Sequence, residues 1–244
     1  MPSEDLGFKI NEVSEDADSL VERTFNSSYN EKQTNGIRLK FSSLFHGKDK
    51  IETFLFFTDP HLTMRSRYET ITDFIVSKHI STLQKYYNSL PLDYCICGGD
   101  IINSCDSYSQ ACEALSYADS YMRKLFKNYY FMQGNHDDNP YDWGGTGSRH
   151  MLTQTEMNNL VFRDTGSEYY SFDGKNTKFY VLNSGHSKAY EPEDVMNEYK
   201  WMQIDWLAHQ LIQDNPAHAI LMNHMNTGVM IEIVRELAVA FNKH

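Results

Sequence analysis

Four short apolar runs constrain this chain more than anything else in it. They are Phe54-Leu55-Phe56-Phe57, Tyr94-Cys95-Ile96-Cys97, Tyr129-Tyr130-Phe131-Met132 and Ala219-Ile220-Leu221-Met222. Each is too short for a helix and shows no polar alternation, so each predicts a strand buried on both faces. Helical periodicity lies between them. Ala111, Leu115, Ala118, Met122 and Leu125 set an apolar stripe on one helix face, and Ile71, Phe74, Ile75, Ile80 and Leu83 predict another helix before Pro91. Thr153-x-x-Glu156 has the form of a capping box that opens a short helix. Strands alternating with helices imply a layered α/β fold. One segment breaks the alternation. Tyr169 to Phe172 and Phe179 to Leu182 flank Asp173-Gly174, which predicts a β-hairpin and hence a mixed rather than purely parallel sheet.

The chain has 244 residues, enough for one large domain or two small ones, and enough to bury a core without disulfides or a structural metal. Residues 1–50 are polar and acid-rich and are expected to form an arm or extra strands, with the main domain over 51–244. The 33 acidic residues against 22 basic ones give a net charge of −11. Such a chain lacks the broad positive surface that holds nucleic acid by counterion release. A small phosphorylated substrate stays compatible with it, because cations held by converging carboxylates reverse the local field. Cys95, Cys97, Cys105 and Cys112 are expected to be reduced thiols, the first two in the core, rather than a disulfide or zinc clip. No basic region followed by an apolar run opens the chain, and no stretch is apolar for long enough to cross a bilayer. The resulting expectation is a soluble cytoplasmic protein.

The chemistry lies where the strands end. Phe54 to Phe57 runs into Thr58-Asp59-Pro60-His61, and Tyr94 to Cys97 into Gly98-Gly99-Asp100. Tyr129 to Met132 runs into Gln133-Gly134-Asn135-His136-Asp137, and Ala219 to Met222 into Asn223-His224. In open α/β sheets ligands bind in the crevice at the carboxyl ends of the strands. Oxygen and imidazole donors together suit manganese, iron or zinc. Any one of these short matches is weak, since an Asp-x-His or Gly-Asp pair arises by chance in many proteins. Four in one order, each after an apolar strand, are specific.

On these stretches, Asp59-Pro-His61, Gly99-Asp100, Gly134-Asn-His-Asp137 and His224, the chain resembles the calcineurin-like metallophosphoesterases over about Phe54 to His224. The resemblance implies a layered α-β-β-α sandwich with mixed β-sheets and a centre of two divalent or trivalent cations. It implies that Asp59 and His61 hold one metal, that Asp100 bridges both, and that Asn135 and His224 hold the other. His136 would act as general acid toward the leaving group, with Asp137 orienting its imidazole. The implied reaction is hydrolysis of a phosphomonoester or phosphodiester by a hydroxide that the two metals activate.

One departure accompanies the match. The family pattern closes with Gly-His-x-His, and after His224 the chain offers only His244, behind a segment, Ile231 to Phe241, that reads as an amphipathic helix. The expectation is a chain short of its last metal ligands and weak in activity. The rival from another class is a non-catalytic scaffold of the same fold that binds a protein partner. His186 could line the cleft or lie on the surface. Pro140 to His150, with Trp143, Arg149 and His150, reads equally as a substrate loop or a surface loop.

Overall fold

The computed structural model describes residues 52–61, 83–85, 87–88, 90, 92–103, 105, 107–140, 151–183, 193–225, 235 and 237, with only the backbone described over 193–200. The amino-terminal segment 1–50, most of the helix expected over Ile71 to Leu83, the loop from 141 to 150, His186, most of the segment 231–241 and His244 lie outside the described residues.

Among the described residues six strands form two three-stranded sheets. β1 (Phe54–Phe57), β2 (Tyr94–Cys97) and β3 (Tyr129–Phe131) are all parallel, in the order β1-β2-β3. In the second sheet β4 (Tyr170–Asp173) pairs antiparallel with β5 (Lys178–Val181), and β5 pairs parallel with β6 (Ala219–Met222). The expected hairpin is therefore present, and it makes this sheet mixed. Its connection spans the four residues from Gly174 to Thr177, because Asp173 pairs with Lys178. Three helices complete the described elements: α1 (Tyr108–Leu125), α2 (Gln154–Leu160) and α3 (Glu193–Asp214).

Side-chain alternation fixes the layers. Phe54, Phe56, Tyr94, Ile96 and Tyr130 share one face of the first sheet and turn toward the second. There Tyr130 stacks on Phe172 with centroids 3.6 Å apart, and Phe54 meets Phe179 edge-on at 5.8 Å. The opposite face carries Phe57, Cys97, Tyr129 and Phe131 against α1 and the segment after α2, through Phe57 with Phe126 and Phe131 with Phe162. On the second sheet, Tyr180 and Leu221 turn outward beneath α3, where Tyr180, Leu182, Ile204 and Leu207 form a separate buried cluster. The order of layers is helix, sheet, sheet, helix, as the resemblance implied. α1 presents its expected stripe inward, with Ala111, Leu115, Ala118 and Met122 fully buried. Ser107 caps its amino terminus by accepting the Gln110 N–H, and Arg123 and Lys124 sit in its last turn, where the helix dipole favours cations. α2 opens with the expected capping box between Thr153 and Glu156.

Burial on both faces fails for two of the four strands. β2 is buried throughout, but Phe54 and Phe56 of β1 are exposed, and of β6 only Met222 is buried. The reason is position. Among the described residues β1 and β6 end their sheets and the neighbouring layers leave them partly uncovered, whereas β3, also an end strand, is covered by Phe172 on one face and Phe162 on the other. The same short apolar pattern thus serves both central and edge strands.

Candidate metal centre

β1, β2, β3 and β6 deliver their polar residues to one end of the sandwich, and the two sheets meet there. The loop after β1 is tied to the loop after β2 by Asp59 N–H donating to Gly99 O and His61 N–H donating to Asp100 O, both at 3.0 Å. Asp59, His61 and Asp100 all adopt left-handed backbone, with φ of 56°, 47° and 52°. Such conformations cost about 1–3 kcal/mol each where the residue is not glycine, and they persist when surrounding contacts over-determine them. These loops hold that strain, and their three side chains converge as a result. Ligand atoms of Asp59, His61 and Asp100 lie within 4.8 Å of one another.

Asp100 is the hub. It is 3 % exposed, and its Oδ2 stands 3.7 Å from His61 Nε2 and 3.4 Å from His224 Nε2. Its Oδ1 accepts the His136 N–H at 2.8 Å. His224 comes from the other sheet. Its Nδ1 lies 2.7 Å from Gly98 O, which favours a proton on that nitrogen and turns Nε2 toward Asn135 Oδ1, 3.2 Å away, and Asp100. Two donor groups therefore share Asp100: Asp59, His61 and Asp100 on one side, and Asp100, Asn135 and His224 on the other. His61 Nδ1 is buried without a hydrogen-bond partner among the described residues.

Electrostatics follow from this crowding. Burial pushes the Asp100 carboxyl up, but the hydrogen bond and charge of His224 and the His136 N–H outweigh it and hold the pKa below the usual carboxylate range. The hydrogen bond to Asp100 raises His224, against the cost of burial, to about 9. In the metal-free chain a proton on His224 thus balances the carboxylate charge. Burial lowers the His136 imidazole, with smaller contributions from the neighbouring His61 and His224 rings, against the pull of Asp100. Its ring meets that of His61 edge-on, with centroids 5.1 Å apart.

Backbone groups hold Asp137 tightly. Its carboxylate is fully buried and accepts three backbone N–H groups: Gly134 at 2.7 Å, Asp100 at 2.9 Å and Ile102 at 3.2 Å. Burial still raises its pKa to about 8 against those donors. These bonds join the loop after β2 to the loop after β3. Backbone donors compete for a buried carboxylate, and residue spacing gives no sign of them.

Two glycines make the close approach possible. Gly99 has φ of 104°, and a β-carbon there would fall 2.7 Å from both Gly134 N and His224 Nδ1. A β-carbon on Gly134 would overlap Asp100 Oδ1 and its amide nitrogen. Three other buried polar groups near the site, Gln133, Asn183 and Gln203, have no role in the sequence pattern. For the first two the available signal was a polar residue directly after a buried strand. Gln203, on a helix, carried none.

The fit to divalent cations is good on these observations: mixed imidazole and oxygen donors, one carboxylate between two imidazoles, and a buried ring nitrogen on His61 with no partner. With fold and site in view, the chain belongs to the calcineurin-like phosphoesterase family, whose pattern it matches over residues 52–241. No curated protein matches it. Among the described residues no helix is long and apolar enough to cross a membrane.

Proposed function

We propose that residues 51–244 carry a catalytic domain that hydrolyses a phosphomonoester or phosphodiester of small size at a centre of two metal ions. The observation that carries the reading is the Asp100 carboxylate, placed within 3.7 Å of an imidazole from the first sheet and 3.4 Å of one from the second. Asp59, His61 and Asp100 would hold one cation, and Asp100, Asn135 and His224 the other, with manganese, iron or zinc suited to the donor set. When bound, such cations supply Lewis-acid charge for the phosphate oxygens and acidify the attacking water.

The side chains divide the remaining work. His136, beside His61 at the rim of this group, donates a proton to the leaving oxygen. Asp137 keeps the glycine-rich turns rigid, so that Asp100 and the His136 backbone stay in register. The tied loops after β1 and β2 preorganise the carboxylates, which lowers the cost of bringing like charges together when cations arrive.

The test is hydrolysis of nitrophenyl phosphate and bis-nitrophenyl phosphate by purified chain loaded with manganese, beside Asp100→Asn and His61→Ala variants. Weak metal-dependent turnover of either ester, lost in both variants, is the expected result. Stoichiometric metal uptake without turnover of either ester would favour a non-catalytic scaffold, and no uptake at all would reject the metal centre.

A further inference from the structure

We infer that a belt of three buried amides, Gln203 of α3, Asn183 after β5 and Gln133 after β3, positions the loop that carries Asn135 and His136. The inference rests on the metal reading for its functional consequence and on geometry for everything else. Gln203 and Gln133 are fully buried and Asn183 is 4 % exposed. Gln203 clasps the Asn183 backbone on both sides: its Oε1 accepts the Asn183 N–H at 2.8 Å, and its Nε2 donates to Asn183 O at 2.9 Å. The Asn183 side chain then donates to Gln133 Oε1 at 2.9 Å. These contacts run from the outer helix through the second sheet into the first.

The site needs such a link. Asn135 hangs from the first sheet and His224 from the second, yet Asn135 Oδ1 must sit 3.2 Å from His224 Nε2. Apolar contact between aromatic faces is non-directional and tolerates sliding of one sheet over the other. Hydrogen bonds between amides are directional, and in a dry interior a broken one leaves a desolvated polar group. Gln133 directly precedes Gly134, so fixing its side chain to Asn183 fixes the start of the turn. On the other sheet, Leu182 N–H donates to Met222 O at 2.9 Å and couples the end of β5 to the end of β6, two residues before His224. The belt therefore ties both halves of the Asn135–His224 pair to one frame. Gln133, Asn183 and Gln203 are positioning residues, since none touches the donor atoms.

The experiment compares Gln203→Met and Gln133→Met, which keep side-chain length and remove the amide, with Leu207→Ala, which removes packing from α3 without touching the belt. Amide hydrogen exchange in the metal-free chain is the primary reading. Both amide variants should speed exchange at Gly134 and His136 by roughly 10-fold while the α1 amides keep their wild-type rates. Leu207→Ala should lower overall stability and leave the ratio of loop to α1 exchange unchanged. Either amide variant suffices if the other fails to fold. In manganese titrations the amide variants should weaken binding by about 10-fold and Leu207→Ala should not. Exchange that rises evenly across the chain in all three variants, or stays at wild-type rates at Gly134 and His136, overturns the positioning role. A wild-type chain that takes up no manganese while the exchange pattern holds rejects the metal reading and leaves the belt standing.

Discussion

Gly134→Ala puts the site geometry under direct strain. The added methyl carbon would fall inside the contact radius of Asp100 Oδ1 and Asp100 N, and 2.8 Å from Asp100 Cγ. Relief requires the two loops to separate by about 1 Å, because carbon atoms pack at roughly 3.5–4.0 Å. Three hydrogen bonds of the junction are drawn at 2.7, 2.8 and 2.9 Å: Gly134 N–H to Asp137, His136 N–H to Asp100, and Asp100 N–H to Asp137. A 1 Å separation breaks at least two of them. Leaving a buried donor or acceptor unpaired costs about 1–3 kcal/mol each, so the expected loss is about 2–6 kcal/mol. That is a large share of the roughly 5–15 kcal/mol that holds a domain folded. Displacement of Asp100 on this scale should also lower turnover about 100-fold. Chemical unfolding, manganese titration and ester hydrolysis read the three effects. Gly166→Ala is the control, for Gly166 has φ of 71° and nothing within 4 Å of its added carbon. It should cost only the backbone strain of about 1–2 kcal/mol and leave metal binding intact. A Gly134→Ala chain with wild-type metal affinity and no greater instability than Gly166→Ala would refute the packing argument.

Three further outcomes follow from the site and the fold. His136→Ala should cut turnover of alkyl phosphates more than that of nitrophenyl phosphate while metal content stays unchanged, because good leaving groups need little protonation; equal losses on both esters would reject the acid role. His224, raised from 6.5 to about 9, stabilises the metal-free fold fully below pH 6.5, and that contribution is lost as pH rises through about 9. Cations need the neutral ring, so metal affinity should climb with pH and level off above about 9, with a proton released at pH 7; calorimetry in buffers of different ionisation enthalpy measures that proton, and none released would contradict the assignment. Thr153→Ala should lower stability by about 1 kcal/mol without changing hydrolysis, as judged by urea unfolding, since the capping box it removes bonds Thr153 only to Glu156.

The sequence by itself determined which residues reach the site. Each of the four apolar runs became a strand, and Asp59, His61, Asp100, Asn135 and His224 come together because strands of one hand and direction end on one side. Periodicity and turn chemistry are local, so α1, the capping box and the hairpin were legible without a partner in view. What faces each strand is not local. Phe56 and Ile96 both lie in apolar runs, yet Phe56 is 48 % exposed and Ile96 is buried, because pairing order and the layers packed on each face together decide what is covered. The same holds for hydrogen-bond partners. Asp137 gathers N–H groups from two loops, and Gln203 reaches Asn183 across a helix–sheet interface. A polar side chain takes whichever donor or acceptor the packed layers leave nearest, and at sequence separations of 20 or more only tertiary structure sets that distance.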